Sequence, residues 1–581
     1  MVFRLQLASL SDEDHALLLI VALGLVGPCH RPLKARVVLK ADGSQVAHQA
    51  FKRHETFSIS FHLSLLLLPP AFGATLLVPT FAPLNAILTS FTLYICALVS
   101  STLAYRASPY HPLARYPGPI VYRLTKFYMA RVGFGGHQYL HVKSLHDRYG
   151  DIVRIGPNEL SLRDPSLLNP VYGTSGLPHG PLFVGRLLTS TNLPLVGIMD
   201  TEEHLERRKP WARAFTPAAL KEYQPMVAAR ARQLVEALGK QAGEVDIAKW
   251  VNYFSYDMMS DMAFGGGSEL LRDGDVNNVW HILDHSFPAA TFTSHVPWLG
   301  PYLGRVPSIA AAQAQLTVYS HKLALARIKR GSDHKDIFHY LSEEDRPNNP
   351  QLPLSRLIDD GVLAIVAGAD TTSSALTSIF YCLLTHPDAC QKLQAEIDQF
   401  YPPGEDPGDI KHHLDMHYLT AVINEGMRVW PPVPSGVQRL VPHNSGGVTF
   451  GSTFIPAGTA VSLHTYSIFH DSRNFSPRPS DFWPERWLLA AGRMSRADAG
   501  LAADAPFAHN DAAFTPFSHG PMNCVGKNLA MQEMRVVLCA LLQKYELRPG
   551  AGWDPRSYKD GYRDFFVTTR PPVPVLLRTR R

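Results

Sequence analysis

The run Phe517-Ser518-His519-Gly520-Pro521-Met522-Asn523-Cys524-Val525-Gly526 reads F-x-x-G-x-x-x-C-x-G and leads into a helical pattern from Lys527 to about Leu542. A cysteine held by a glycine-bearing loop at a helix start is placed to be a thiolate, because the helix N-terminus favours the anion and its free N–H groups can reach the sulfur. Such a thiolate can be the proximal ligand of a haem iron and push electron density onto the metal. Gly520 and Gly526 would let the backbone lie close to a flat macrocycle, and Phe517 would cover the sulfur. The plainer alternative is a buried free thiol, the common state of a lone cysteine.

A second chemical stretch, Ala367-Gly368-Ala369-Asp370-Thr371-Thr372, lies within a helical run from about Leu357 to Leu384 that His386-Pro387 ends. A glycine inside a long helix costs about 1 kcal/mol relative to alanine, so small residues here suggest a cofactor or bound oxygen lying against the backbone. Asp370 beside Thr371 puts a proton source next to a hydroxyl. The alternative is a polar patch whose threonines bond back to their own turn. Glu425 and Arg428 stand at i and i+3 on one helix face, and His204 and Arg208 stand one turn apart.

Taken in this order, the segments resemble the cytochrome P-450 superfamily of haem-thiolate monooxygenases, over roughly Pro112 to Arg581. The resemblance implies haem b (iron protoporphyrin IX) ligated by Cys524 within the Phe517–Gly526 loop. The Ala367–Thr372 stretch is similar to the family's [AG]-G-x-[DE]-T-[TS] motif, which implies oxygen hydrogen bonding at Thr371 and proton relay at Asp370. Glu425 and Arg428, followed by Pro431, Pro432 and Pro434, resemble its E-x-x-R helix, and Phe482–Trp487 resembles the segment supplying Arg486. Glu425, Arg428 and Arg486 are thereby expected to form a buried structural network bracing the cysteine loop. His204, Arg208 and Arg439 match propionate contacts; Arg207, Lys209 and Trp211 read as surface or packing residues. One departure stands out: many members carry Arg or His two residues before the cysteine, where this chain has Met522. Weaker haem retention is expected, unless His519 substitutes.

The elements that must position these residues belong to a mainly α domain with small β-sheets, residues 111–581. Strand-like pieces fall near Ile152–Ile155, Val448–Ile455, Ala460–His464 and Phe565–Leu577. His111–Pro119 is proline- and glycine-rich and sets this domain off from residues 1–110. There, no Asp, Glu, Lys or Arg occurs from Thr56 to Tyr105, well over the roughly 20 residues one membrane-spanning helix needs. Spans are expected near 57–78 and 83–105, with a shorter one near 15–28. The basic loop Arg31–Arg53 and the basic residues after Tyr105 place both on the cytosolic side.

The net charge of +5 calls for no nucleic-acid partner. Six cysteines without C-x-x-C or zinc spacing suit a reducing compartment. The resemblance implies an endoplasmic-reticulum membrane enzyme with a cytosolic catalytic domain. It would take NADPH electrons from a reductase, with cytochrome b5 as a further donor, and hydroxylate or epoxidise an apolar molecule such as a terpenoid or other secondary metabolite. Lys527 and Arg535 would offer positive charge to the reductase, and substrate contacts would fall in Tyr172–Met199 and His285–Pro307. A reductase-independent haem-thiolate isomerase or dehydratase, and a non-catalytic membrane haem sensor, are the other classes. The Asp370–Thr371 pair argues against both.

Overall fold

The computed structural model describes residues 43–52, 56–188, 193–276, 278–331, 334–346, 348–349 and 352–580. Two compact units emerge, residues 1–115 and 116–581. The span expected near 15–28 lies outside the described residues.

In the first unit, α1 (Ile59–Thr75) packs against α2 (Pro83–Ala107). The stretch expected near 57–78 is thus a helix of 17 residues, shorter than the single span anticipated there. Pro69 and Pro70 sit inside α1. Pro69 removes the N–H that would bond the Leu65 carbonyl, and the Tyr94 hydroxyl of α2 donates to that carbonyl instead at 2.6 Å. Leu84, Ile87, Leu88, Leu93 and Val99 of α2 are exposed. With its 25 residues, α2 is long and apolar enough to cross a bilayer.

The second unit is mainly helical with small sheets. Strands β1 (Ile152–Gly156) and β2 (Glu159–Leu162) form a hairpin. Helices α3 (Thr201–Ala214) and α4 (Pro217–Gly239) start on caps from Asp200, which accepts from Glu203 N at 2.8 Å, and Thr216, with Pro217 at the first helical position. Strand β3 (Glu244–Asp246) leads to α5 (Ile247–Phe264), capped by Asp246 and closed by Gly265 in the left-handed conformation. Then come α6 (Val279–His295), α7 (Pro307–Arg330) and the long α8 (Leu354–Thr385). Helix α9 (His417–Val429) precedes β4 (Gln438–Leu440) and β5 (Ala460–Leu463), and α10 (Lys527–Lys544) precedes β6 (Tyr545–Pro549) and β7 (Pro574–Thr579).

A four-stranded sheet has the order β1-β2-β5-β4, with β2 and β5 parallel (Leu160 opposite Val461) and β4 and β5 antiparallel (Arg439 opposite Val461). Its last pair fixes Arg439. A three-stranded sheet, β6-β7-β3, ties the carboxy terminus to the start of α5. The expected strand pieces near 448–455 and 565–577 are hairpin strands and β7.

Helix α8 is buried on nearly every side from Ala369 to Leu384, its polar residues included. It meets Phe254 and Met258 of α5, Leu419 and Val422 of α9, and Val536 and Val537 of α10 in one apolar core. That core holds the two chemical stretches on rigid elements.

Candidate active site

The Cys524 loop is shaped before its helix begins. Ser518 and Gly520 both have positive φ, at 62° and 76°. A Cβ on Gly520 would lie 1.9 Å from the Tyr172 carbonyl oxygen, so glycine is required there by the protein's own backbone. Gly520 does not line the cavity; the expectation that it serves close approach to a macrocycle is corrected to this contact. Cys524 N–H donates to the Phe517 carbonyl at 3.0 Å, closing the loop. Burial pushes the Cys524 thiol up, while the N–H groups of Gly526 and Lys527 and the Arg208 guanidinium act in the opposite sense. The side chain has accessible surface although it sits deep in the protein, because that surface faces a cavity of about 320 Å³.

Phe517, Gly526 and Met522 line the same cavity, as do Ala367, Gly368 and Thr371 of α8. At Gly526 a Cβ would find only ordinary contacts, with Cys524 Sγ at 3.9 Å. At Gly368 it would lie 2.5 Å from Met259 Sδ of α5, so this glycine also lets two helices close. The Thr371 hydroxyl donates to the Ala367 carbonyl at 2.7 Å. Asp370 turns elsewhere. It is absent from the cavity lining and accepts from the Tyr256 hydroxyl of α5 at 3.4 Å, while its other oxygen, Oδ2, has no partner among the described residues. Burial raises its carboxyl to about 6, against the pull of Arg570 and with a push from Asp284.

A polar edge gathers at one side of the cavity. His204 is buried, its Nδ1 donating to the Leu195 carbonyl at 3.1 Å and its Nε2 without a partner among the described residues. Arg208 donates to Asn523 Oδ1 at 2.9 Å, and the Trp211 side chain interacts with the buried Asp360 carboxylate. Trp211 lines the cavity, so it is part of the site rather than packing alone. Arg439 is buried but stands behind the lining. It donates to the Met522 sulfur at 3.0 Å and stacks over Tyr172, and its Nε has no partner among the described residues.

Glu425, Arg428 and Arg486 come together with no exposed side-chain surface. Arg428 grips Glu425 through two bonds of 2.8 Å, and Arg486 Nε, Trp483 N and Trp487 Nε1 each reach the same carboxylate at 3.0 Å. Trp487 packs on Phe514, whose ring lies 4.6 Å away just before the cysteine loop.

Several residues fall away from their expected places. His519 is exposed and does not line the cavity, so it does not substitute for the residue that Met522 replaces. Arg535 is half-buried and donates to Thr420, which turns it inward from any docking surface; Lys527 is exposed. Arg207 is not a surface residue but pairs with buried Asp360 at 2.7 Å. Tyr172, Phe183, Leu195 and Val196 line the cavity as the first substrate stretch suggested, whereas none of His285–Pro307 does. Sequence reasoning missed three residues. His179 sits 4.7 Å from the His204 ring. Tyr256 reaches Asp370 from another helix. Glu533, one wall of the cavity, is buried with its carboxyl raised to about 8 by burial. The first two carry no local signal; Glu533 carried one, a carboxylate in the apolar face of the helix after Cys524.

The donor set fits a flat cofactor with an apolar body and anionic edge groups. One thiol reaches the cavity, its walls are mostly apolar, and the Arg208 guanidinium lies with buried His204 at one edge. A mainly helical fold that brings a loop cysteine and a small-residue helix to one cavity defines the haem-thiolate class. The cytochrome P450 family model matches residues 114–576, and the chain belongs to that family. Among its relatives is cytochrome P450 monooxygenase FCK2 of Fusarium pseudograminearum, 34% identical over 508 residues, 85% of this chain and 87% of that one. Cytochrome P450 67 of Uromyces fabae is 31% identical over 90% of this chain and 96% of its own. The trichothecene C-15 hydroxylase of Fusarium sporotrichioides is 30% identical over 81% of this chain and 94% of its own. This chain is a cytochrome P450 monooxygenase.

Proposed function

We propose that the chain inserts one oxygen atom of O2 into a C–H or double bond of an apolar secondary metabolite, a terpenoid by preference, at the cavity between Cys524 and α8. The observation that carries this reading is the cavity itself, with Cys524 on one wall and Ala367–Thr372 on another. Haem b, when bound, supplies the redox chemistry, with electrons from an NADPH–cytochrome reductase and with cytochrome b5 as a further donor. Cys524 ligates the iron, since a bound metal ion deprotonates a coordinating thiol despite burial. Phe517 covers the sulfur and keeps water from it, and Gly526 leaves room beside it. His204 and Arg208 hold the anionic edge, with Arg439 adding charge from behind Met522. Thr371 presents its hydroxyl at the cavity wall, and Asp370, whose carboxyl titrates near physiological pH, supplies protons to that side of the helix. Glu425, Arg428 and Arg486 take no part in the reaction and position the loop.

The apolar lining from Phe183, Leu195, Val196, Leu363 and Phe566 supports a poorly soluble substrate. A relative named as a hydroxylase supports C–H insertion. The outward apolar face of α2 supports anchoring in the endoplasmic-reticulum membrane, with residues 111–581 on the cytosolic side and residues 1–110 as the anchor region.

The test is the carbon monoxide difference spectrum of reduced microsomes, wild type beside Cys524→Ala. A strongly red-shifted Soret band present in the wild type and lost in the variant is the expected result. A haem spectrum without that band in the wild type would overturn thiolate ligation. NADPH-dependent turnover of apolar precursors then separates the oxygenase from a reductase-independent isomerase.

A further inference from the structure

A second cavity, of about 360 Å³, lies against the other face of α8, lined by Val362, Ile365 and Val366 of α8 and by Tyr256 and Ser260 of α5. The main cavity takes Ala367, Gly368 and Thr371 of the same helix. Asp370, four residues beyond Val366, lies one turn further along the face that lines the second cavity. The mouth of this cavity is wet, since the lining residues Gly267, Arg272, Asp273 and Val276 are exposed. It is also built. Buried Asp257 accepts from Ser268 Oγ at 2.7 Å, Leu270 N at 2.7 Å and Leu271 N at 2.9 Å, fastening the mouth loop to α5.

A buried polar seam starts with Tyr256 at this cavity and runs past Asp370 to Asn252 and Ser373. Tyr256 lines the cavity and its hydroxyl is 3.4 Å from Asp370 Oδ1. Asn252 donates to Ser373 at 3.4 Å, and Ser373 donates to the Asp370 carbonyl at 3.2 Å. Asn252 Oδ1, Ser255 Oγ and Asp370 Oδ2 have no partner among the described residues. Buried polar atoms are nearly always satisfied, and a polar seam with several such atoms is what ordered water needs.

We propose that protons enter from solvent through this second cavity and pass by way of the Tyr256 hydroxyl to Asp370, which serves the reaction from the opposite face of α8. The inference rests on the reading of Asp370 as proton donor. As the Tyr256 O–H bond breaks, a bond forms between that proton and Asp370 Oδ1, and a cavity water gives its own proton to the phenol oxygen. Asp370's earlier proton leaves toward Thr371, so one proton moves from solvent to the main cavity and no electrons change hands. Tyr256 never has to ionise, which suits a phenol that burial holds well above its ordinary pKa. The charged and titratable groups facing Asp370 are Tyr256 of α5, Asp284 of α6 and Arg570 from the segment before β7; none but Tyr256 joins it to the second cavity.

The experiment uses the reduced holoenzyme with reductase and NADPH, without added substrate, and measures the share of electrons recovered as hydrogen peroxide and as water. Asp370→Asn, Tyr256→Phe and Ser260→Leu, the last filling the second cavity, are compared after the carbon monoxide band shows each to be folded. In all three, the water share falls by about a hundredfold, the low end of proton-transfer effects. Independently of turnover, the infrared band of the protonated Asp370 carboxyl, assigned by its loss in Asp370→Asn, shifts its titration midpoint in Tyr256→Phe. If Asp370→Asn diverts electrons to peroxide and neither other variant does, the route is overturned while Asp370 keeps its role. Should Asp370→Asn change nothing, the donor reading and the route both fail. Where Tyr256→Phe does not fold, Ser260→Leu decides alone.

Discussion

Two buried carboxylates sit on neighbouring helices of the same core and are treated in opposite ways. Glu425 of α9 has both oxygens filled by Arg428, Arg486, Trp483 and Trp487. Burial alone would push its carboxyl up, but Arg428 first and then Arg486 hold it below the usual range. Asp370 of α8 is as deeply buried, yet it has one long bond from a phenol and an oxygen with no partner, and its carboxyl rises to about 6. A permanently charged, fully bonded acid locks structure. An acid poised near neutrality beside a polar seam can release and regain a proton. The contrast separates the positioning network from the groups that act.

The sharpest way to break the comparison is to remove the charge from each. Glu425→Ala leaves two guanidinium groups buried without their anion, which costs about 3–5 kcal/mol. The expected outcome is little or no haem-loaded protein on expression, and a denaturation midpoint far below wild type in whatever folds. Because the Glu425 carboxyl is depressed in the folded state, its contribution is present above the unfolded value near 4.3 and is lost as pH falls below it.

Asp370→Asn should do the reverse to stability while damaging the reaction. In the unfolded chain Asp370 ionises near 3.9, and in the fold only near 6. The folded state therefore binds the extra proton between those values, and wild-type stability falls as pH rises from about 4 to about 6, then levels. That difference amounts to roughly 2–3 kcal/mol. The amide variant escapes it, so its thermal midpoint should match wild type near pH 4 and exceed it at pH 7. Equal shifts at both pH values would show that Asp370 is partnered as Glu425 is.

Much of this contrast was legible in the chain and some of it was not, for a physical reason. The Cys524 loop, the Ala367–Thr372 helix and the Glu425–Arg428 pair are contiguous, and their chemistry depends on local spacing that a sequence displays. Capping residues such as Asp246 and the Thr216–Pro217 step likewise mark helix starts locally. What Asp370 faces depends instead on the packing of α5 against α8, which brings Tyr256 across 114 residues. The pairing of Arg207 with Asp360 across 153 residues is hidden in the same way. Short strands such as β4 show their alternation too briefly to reveal that Arg439 lies opposite Val461.

Met522→Arg tests the polar edge that both acids leave untouched. Arg439 donates to the Met522 sulfur, so a second guanidinium there meets like charge unless an anion lies between them. Haem loss to excess apomyoglobin should slow by several-fold, about 1 kcal/mol for one added charged contact, while the haem-free protein melts lower than wild type. Unchanged haem loss would mean that His204 and Arg208 already satisfy the anionic edge.

The last comparison concerns the glycines that let α5 meet α8, of which Gly368 should give the smallest effect. On Gly361 a Cβ would lie 2.3 Å from the Phe264 ring, and on Gly368 it would lie 2.5 Å from the Met259 sulfur. The ring is rigid and the thioether is not. Gly361→Ala should therefore cost about 1–3 kcal/mol as an overpacked contact. Gly368→Ala should cost less, because Met259 can turn aside and alanine returns about 1 kcal/mol of helix propensity. If helix approach is what Gly368 serves, its cost shrinks further in a Met259→Ala background, with haem retention unchanged throughout. Were haem retention to fall in Gly368→Ala whatever stands at 259, the glycine would serve the cavity it lines rather than the approach of α5 to α8.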